Sequence, residues 1–161
     1  VLRLSNTFGV PMHKDVNCWM LLVNDLCRQA VQTRKIVLQT SGLQQLDFIG
    51  LTEVCRVAEH LAVGHDTSTQ SGIFNVGAGV SQSVLGMAQL IQERCLQVLG
   101  FEPVLQRVQS AIDDPPSTLT YRVNNLAVLS INSKCQDDTA EIDNLLHFCT
   151  STLTNPNSPY E

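Results

Sequence analysis

The sequence predicts an α/β protein whose central sheet is only partly contained in this chain. Stretches typical of strands alternate with stretches typical of helices along most of the 161 residues. Only two predicted strands, residues 1–4 and 73–76, are long and apolar, and the others are short. Two such strands are too few for a complete doubly wound sheet. We therefore expect the rest of the sheet to be formed by residues upstream of Val1.

Composition and charge limit the kinds of molecule that this protein is expected to bind. Apolar residues make up 43% of the chain and charged residues 16%, as in ordinary globular proteins. The net charge is −5 and the basic residues are scattered, which argues against nucleic-acid binding. No apolar run approaches the roughly 20 residues of a membrane helix, and no signal peptide pattern opens the chain. We expect no membrane partner and a cytoplasmic location.

The cysteine pattern favours reduced thiols in the core. The six cysteines form neither a Cys-x-x-Cys pair nor a zinc-like spacing. Most fall on apolar faces of predicted helices, where a free thiol behaves as a small hydrophobic group. No metal site is predicted. We expect residues 1–150 to form one domain and residues 151–161 a flexible polar tail.

The first element is a strand over residues 1–4 within "VLRLSNTFGVP", followed by a sharp turn. The stretch "DVNCWMLLVNDLCRQAV" then predicts a helix with Asp15 as its N-cap. Its apolar positions recur at helical spacing: Val16, Trp19, Met20, Val23, Leu26, Cys27 and Ala30.

The middle of the chain predicts two further strands and a helix. "KIVLQTSG" is a short strand and turn. "QQLDFIGLTEVCRVAEHLAVG" begins extended and becomes a helix, with Thr52 as candidate N-cap and Gly64 as candidate stop. Val54, Val57, Ala58 and Leu61 supply its apolar face. "HDTSTQS" follows as a polar surface loop.

The last third predicts a strand, a glycine turn and two helices. "GIFNVGAGVSQSVLGMAQLIQERCLQVLG" contains the strand at 73–76 and a helix with Ser81 as candidate N-cap and Gly100 at its end. "EPVLQRV" is a short strand, and "DDPP" is a break before "LTYRVNNLAVLSI". "DTAEIDNLLHFCTST" predicts the final helix. The buried faces are expected at Val84, Met87, Ala88, Ile91 and Cys95, and at Ile142, Leu145, Leu146 and Cys149.

Three motifs in this order carry a family resemblance. "LRLSNTFGVP", "LDFIGLTEVCRVAEHL" and "GIFNVGAGVSQSVLGMAQLI" together resemble the C-terminal half of the extended short-chain dehydrogenases. These are the NAD-dependent epimerases and dehydratases, which act mostly on nucleotide sugars. The similarity runs in register from Val1 to about Val108, and more loosely to residue 149.

The resemblance implies a Rossmann-like fold of which this chain holds the last sheet strands and the small substrate-binding subdomain. The N-terminal nucleotide-binding half would be missing. NAD or NADP would be bound mainly by that half, and the substrate would be a nucleotide sugar or related sugar. The full-length protein would be a homodimer.

The resemblance also assigns candidate ligand contacts. Leu4 and Ser5 would approach the cofactor ring, and Asn6 would hydrogen-bond the substrate. An amide at the carboxyl end of a strand lies where such sheets bind ligands. The alternative for Asn6 is that it caps its own turn. Asn17 matches a position that often touches the nucleotide.

The segment "LDFIGLTE" departs from the family pattern Arg-Asp-Phe/Tyr-Ile-x-Val-x-Asp. Leu46 occupies the substrate-binding arginine position, and a leucine cannot form the forked contact of an arginine with a diphosphate. Asp47 is expected to anchor the following turn rather than take part in chemistry. The "NVGAG" turn is expected to be structural, because Gln82 stands where a dinucleotide fingerprint needs its third glycine.

No catalytic residue is predicted in this chain, since it has neither a glycine-rich phosphate loop nor a Tyr-x-x-x-Lys pair. The leading hypothesis is the substrate-binding portion of an NAD(P)-dependent epimerase or dehydratase. The alternative is a non-catalytic module that binds a ligand or a protein, which Leu46 favours. A third possibility is a fragment without an independent role, whose exposed sheet edge would promote association.

Overall fold

The computed structural model describes residues 1–63, 73–107 and 138–153. These residues form seven strands and four helices in chain order: β1 (Leu2–Leu4), β2 (Asn6–Phe8), α1 (Leu22–Thr33), β3 (Lys35–Leu38), β4 (Gln45–Gly50), α2 (Leu51–Val63), β5 (Phe74–Val76), β6 (Ser81–Ser83), α3 (Val84–Leu99), β7 (Val104–Arg107) and α4 (Asp138–Leu153).

The strands pair mostly in parallel. β1 pairs with β5, β2 pairs with β4, and β3 pairs with β7, while β6 joins β4 in the antiparallel sense. In this register Leu4 lies opposite Val76, and Asn6 lies opposite Phe48. The end of β1 and the start of β2 therefore lie beside both the end of β5 and the middle of β4.

Two apolar clusters hold these strands. In the larger one, α1, α3 and α4 pack together and against β2, β3 and β4. The residues predicted to form the buried faces of α3 and α4 are all buried from solvent. In the smaller one, Val54 and Val57 of α2 pack with Ile49, Val76 and Leu2. α2 therefore covers one face of the β1–β5 pair, and the other three helices build a separate core.

The first helix begins later than its apolar pattern predicts. α1 starts at Leu22 with Leu21 at the N-cap position, so the prediction that Asp15 caps it is wrong. Val16 and Met20 are 46% and 89% exposed, so they do not belong to its buried face. From Val23 onward the inward positions of the helix are buried in the larger core. Trp19 also packs against this core and stacks on Phe148 of α4, although it precedes the helix.

Two other predicted caps are also wrong. α2 starts directly at Leu51, so Thr52 lies inside the helix. Ser83, not Ser81, caps α3, and its side chain accepts a hydrogen bond from Gly86 N at 2.9 Å. Ser81 is instead paired with Asp47 in the sheet. Gly100 is confirmed as the end of α3: its φ is 73°, and its N–H donates to the Leu96 carbonyl.

Some expectations fall outside the described residues: Gly64 as a stop, the 65–71 loop and the 113–116 break. α4 continues to Leu153, and residues 154–161 of the expected tail also lie outside the described residues.

Of the described cysteines, all five are free and four are buried, with Cys55 exposed. Within the described ranges no helix is both long and apolar enough to cross a membrane.

Candidate functional site

The Asp47 carboxylate is the centre of a hydrogen-bond cluster at the carboxyl ends of β1 and β5. The residue is only 1% exposed. Its Oδ1 accepts from the Ser5 hydroxyl at 2.7 Å and from Ala78 N at 2.9 Å, and its Oδ2 accepts from Gly79 N at 2.7 Å. One buried carboxylate therefore ties the end of β1 to the turn that follows β5. This agrees with a structural role for Asp47, although the turn it holds is the one at 77–80.

The turn after β5 is built to present two backbone N–H groups to that carboxylate. Gly79 adopts a φ of 74°, in the left-handed region that glycine occupies without steric cost. Ala78 and Gly79 then direct successive N–H groups at the two oxygens of Asp47. The "NVGAG" sequence is thus explained by an anion-binding turn whose anion is a side chain of the protein itself.

Asn6 lies at the start of β2 with an exposed side chain. Its Nδ2 donates to the Asp47 carbonyl oxygen on the neighbouring strand at 3.1 Å, so the amide does not cap its own turn. This contact fixes the orientation of the amide group. With the nitrogen turned toward β4, the side chain offers its carbonyl oxygen as an acceptor.

Leu4 and Ser5 lie at the same edge but differ in what they offer. Leu4 is 47% exposed and presents apolar surface at the end of β1. The backbone N–H of Ser5 donates to the Val76 carbonyl at 2.8 Å, and its hydroxyl hydrogen is donated to Asp47. Ser5 therefore helps to position the strand end, and toward a ligand its hydroxyl oxygen can act only as an acceptor.

Leu46 and Asn17 take no part in the hydrogen bonds of the Asp47 cluster among the described residues. Leu46 lies opposite Gln82 in the β4–β6 pair and packs, partly buried, against the larger core. The leucine at this position is thus used as a packing residue. Asn17 is exposed in the segment between β2 and α1, and in the described part of the chain no hydrogen bond joins it to the Asp47 cluster.

A second polar contact, which the sequence reasoning missed, fixes the backbone of Gly9 just after β2. The Asn24 side chain is fully buried on α1; its Oδ1 accepts from Gly9 N at 3.2 Å, and its Nδ2 donates to the Gly9 carbonyl at 3.0 Å. Both polar groups of Gly9 are satisfied by one amide. The available signal was an asparagine at a position that the helical period places among apolar residues.

Glu141 joins α4 to the same region, and the sequence reasoning missed it as well. Its Oε2 accepts from the Thr52 hydroxyl at 2.7 Å. A Cβ placed on Gly9 would lie 2.3 Å from Glu141 Oε1, and one on Gly50 would lie 3.4 Å from Glu141 Cγ. α4 therefore reaches the ends of both β2 and β4. No local pattern around Glu141 could have indicated this contact, since its partners lie about 90 residues or more away.

The arrangement as a whole provides binding groups on a rigid edge. The Asn6 carbonyl oxygen and the apolar surface of Leu4 face outward, while Asp47 and Ser5 hold the strand ends from within. Ligands of open parallel sheets bind outside the carboxyl ends of the strands, which is where these groups lie. Within the described ranges no group of three or more His, Cys, Asp or Glu side chains could hold a metal ion.

Comparisons with known proteins find similarity in structure. No protein-family model and no curated protein matches the sequence. The NAD-dependent NDP-hexosamine 5,6-dehydratase TunA, involved in tunicamycin biosynthesis, matches 93% of this chain with 45% of its own, at a TM-score of 0.64 and 23% identity. The UDP-N-acetylglucosamine 4-epimerase from Methanobrevibacter ruminantium M1 matches 93% of this chain with 45% of its own, at a TM-score of 0.66 and 20% identity.

A third structure of the same kind is the UDP-glucuronic acid 4-epimerase from Bacillus cereus, solved with UDP-glucuronic acid and NAD. It has a TM-score of 0.65 and 15% identity, with 93% of this chain and 44% of that chain covered. At these identities the similarity establishes the fold. The predicted α/β fold, a part of the extended short-chain dehydrogenase fold, is confirmed. The chain spans a little under half the length of these structures.

Proposed function

We propose that this chain is the substrate-binding portion of an NAD(P)-dependent epimerase or dehydratase that acts on a nucleotide sugar or a related sugar. The matched structures are enzymes of this kind, and the shared fold covers 93% of the chain. The corresponding part of the fold would be its C-terminal half, residues 1–150 together with the last turn of α4 at 151–153, and the tail would begin after Leu153.

The observation that carries the proposal is the Asp47 cluster. A binding site needs groups held in place by packing and by a second layer of hydrogen bonds. Asp47 supplies that layer, because its carboxylate fixes Ser5 and its backbone carbonyl orients the amide of Asn6. Asn6 would then accept a hydrogen bond from a substrate hydroxyl.

The residues present in this chain fit only the nicotinamide-ring part of NAD or NADP. Leu4 offers apolar surface and Ser5 an oxygen at the strand ends, where a cofactor ring would lie. The sequence has no glycine-rich loop for the phosphates, so they would be held by the other half of the enzyme. When bound, the nicotinamide supplies hydride transfer. The task of this chain is to orient the sugar through Asn6, Asn17 and the region around Leu46.

The test uses the gene product expressed from its complete coding sequence. NAD binding is measured by fluorescence, and turnover is measured on a panel of UDP- and dTDP-sugars. We expect turnover of at least one sugar, and a KM raised about tenfold or more by Asn6→Ala, which removes one substrate hydrogen bond.

Asn144→Ala, which truncates an exposed amide on α4, is the matched control and should leave KM unchanged. A product that binds neither NAD nor any sugar of the panel would reject the proposal.

A second candidate function is a non-catalytic module that binds a ligand or a protein, and the packing of Leu46 against the core favours it. The test is Leu46→Arg in the complete gene product, with Leu46→Met as the control for packing. If the arginine variant stays folded and gains affinity for UDP, the site retains the geometry of a diphosphate-sugar enzyme. If it stays folded and gains none, the binding-module function is supported.

A cytoplasmic location and a homodimeric full-length protein are further parts of the proposal; the location is expected from the sequence pattern, and the dimer is implied by the family resemblance. Cell fractionation tests the location. Analytical ultracentrifugation of the complete gene product tests the dimer.

A further inference from the structure

The segment between β2 and α1 is held at both of its ends. At its start the side chain of Asn24 binds both backbone polar groups of Gly9, through hydrogen bonds of 3.2 and 3.0 Å. Near its end Cys18 is buried, and Trp19 packs, partly buried, against the larger core. Every residue from 12 to 17 is exposed. The exposed part of the segment therefore runs between two fixed ends.

The second of these ends is fixed by an aromatic contact with α4. The Trp19 ring stacks on Phe148, with 6.4 Å between the ring centroids and 29° between the ring planes. The guanidinium of Arg28 on α1 lies 6.0 Å from the centroid of the Trp19 ring. Asp25 accepts a hydrogen bond from Arg28 Nε at 3.2 Å and so holds that guanidinium. Trp19 thus has a neighbour on each of two helices, although it precedes the first residue of α1.

The thiols next to the two rings are neighbours as well. Cys18 precedes Trp19, and Cys149 follows Phe148. Burial, and next the thiol of Cys18, raise the pKa of Cys149 to about 12. Such an influence requires the two thiols to be close together. The end of the segment therefore meets α4 at two consecutive residues.

The indole N–H shows which part of the Trp19 side chain this contact uses. Among the residues that the structure describes, the buried Nε1 donates no hydrogen bond. A buried donor without an acceptor costs free energy, so hydrogen bonding is not what places the ring here. The contact uses the aromatic face alone. A phenylalanine at this position would keep that face and remove the unsatisfied donor.

Asn17 is separated from Trp19 by a single residue, so their Cα atoms are no more than about 7.6 Å apart. We propose that Trp19 is a positioning residue, which by stacking on Phe148 fixes the place of Asn17 at the substrate site. The inference rests on the proposed function, in which Asn17 helps to orient the sugar, and it adds how the fold holds that side chain.

An exposed amide in a segment without helix or strand structure needs such support. A binding group that must be ordered when the ligand arrives loses affinity, and one that is held in advance does not. Without the Trp19–Phe148 stack, Asn17 keeps its chemistry but no longer has one place. A contact that substrate and transition state make equally is then weakened, so KM should rise while kcat stays the same.

The test compares variants of the product of the complete coding sequence, on the sugars that it turns over. Trp19→Ala and Phe148→Ala each remove one ring of the stack, Trp19→Phe keeps an aromatic face, and Asn17→Ala removes the amide itself. Phe101→Ala is the matched control. Phe101 is also partly buried against the larger core, and its ring centroid lies 3.5 Å from Cζ of Arg34.

We expect KM to be about tenfold or more higher in Trp19→Ala and in Phe148→Ala, with kcat within about twofold of the unmodified protein. Trp19→Phe and Phe101→Ala should keep the unmodified KM. An unchanged KM in Trp19→Ala, or an equal rise in Phe101→Ala, would overturn the proposal. An unchanged KM in Asn17→Ala would overturn it too, since there would be no contact to position.

Trypsin cleavage after Lys14, in the exposed part of the segment, gives a measurement that needs no substrate. We expect Phe148→Ala to be cut there about tenfold or more faster than the unmodified protein, because the stack restrains the segment. Phe101→Ala should be cut at the unmodified rate. Equal rates in the two variants would overturn the proposal whether or not a sugar is turned over.

Failure of the proposed function has a different result. A product that binds neither NAD nor any sugar rejects that function; even with faster cleavage of Phe148→Ala, it would leave Trp19 as an anchor of the segment without a role at a substrate site. A product that turns over a sugar with the same KM in Trp19→Ala keeps the function and overturns only the positioning role.

Discussion

The hydroxyl of Ser5 lies 2.7 Å from the carboxylate of Asp47, although 42 residues separate them in the chain. This hydrogen bond joins β1 to β4, which belong to different strand pairs. The same carboxylate accepts from Ala78 N and Gly79 N, so the end of β1, the middle of β4 and the turn after β5 meet at one buried side chain. The candidate site depends on that meeting point.

Asp47→Asn should lower the free energy of unfolding by about 2–3 kcal/mol, because the amide places a second donor against N–H groups that need an acceptor. Chemical denaturation measures the change. Ser5→Ala removes a single hydrogen bond and should cost about 1 kcal/mol.

The exposed acid Asp15 provides the control for the loss of a charge, and Asp15→Asn should leave the unfolding midpoint unchanged. If Asp47→Asn were as stable as the unmodified chain, the buried hydrogen-bond cluster could not be what holds the strand ends.

Asn24→Leu should destabilise the protein by about 2–4 kcal/mol, since it leaves both the N–H and the carbonyl of Gly9 without their partner. The measurement is the free energy of unfolding from urea titration. Asn144→Leu, at an exposed position on α4, makes the same chemical change without a buried partner and should have little effect. Equal effects of the two variants would contradict the role of Asn24 as a clamp on Gly9.

Gly9→Ala should destabilise more strongly than Gly100→Ala. Gly9 has a φ of 149°, and an added Cβ would lie 2.3 Å from Glu141 Oε1 and 2.7 Å from Leu51 Cβ. Gly100 has a φ of 73° with nothing within 4 Å, so an alanine there meets backbone strain alone, about 1 kcal/mol.

Adding Glu141→Ala to Gly9→Ala should recover part of the loss, since one of the two clashes is removed and the Leu51 clash stays. Thermal melting of the single and double variants gives the interaction. If the double variant loses as much stability as the two single variants together, the Glu141 side chain does not clash with a Cβ at position 9.

The buried thiols should be inert below pH 9. Burial raises the pKa of Cys95 and of Cys149 to about 12, and it raises that of Cys27 well above its ordinary value. Among the described cysteines only Cys55 is exposed, so of these five it should react fastest with iodoacetamide in the native chain at pH 8. Peptide mass spectrometry assigns the modified residues.

The same shifts predict alkaline unfolding. A thiol whose folded pKa exceeds its unfolded value contributes stability that is fully present below about pH 9 and falls as the pH rises from 9 toward 12. The unfolding midpoint should therefore decline over this range, and less steeply in Cys95→Ala. A midpoint unchanged between pH 9 and 11 would contradict the burial of these thiols.

The elements that have local signals could be predicted from the amino-acid pattern. α3 and α4 were predictable because their apolar residues recur at three and four positions, and the predicted buried faces are buried. β3 and β7 were short apolar stretches bounded by polar residues or turns. Gly100 ends its helix because the αL conformation required there belongs to glycine.

The starts of the helices and the pairing of polar groups depend on packing between elements that are distant in the chain. The sequence predicts Ser81 as the cap of α3, but pairing with β4 places Ser81 in β6, and Ser83 caps the helix. The apolar pattern predicts that α1 begins near Asp15, but the helix begins at Leu22. Asp47 with Ser5, Asn24 with Gly9 and Glu141 with Thr52 join residues 42, 15 and 89 positions apart. Such contacts leave no periodic trace in the sequence, because the partners are brought together only when the strands and helices pack.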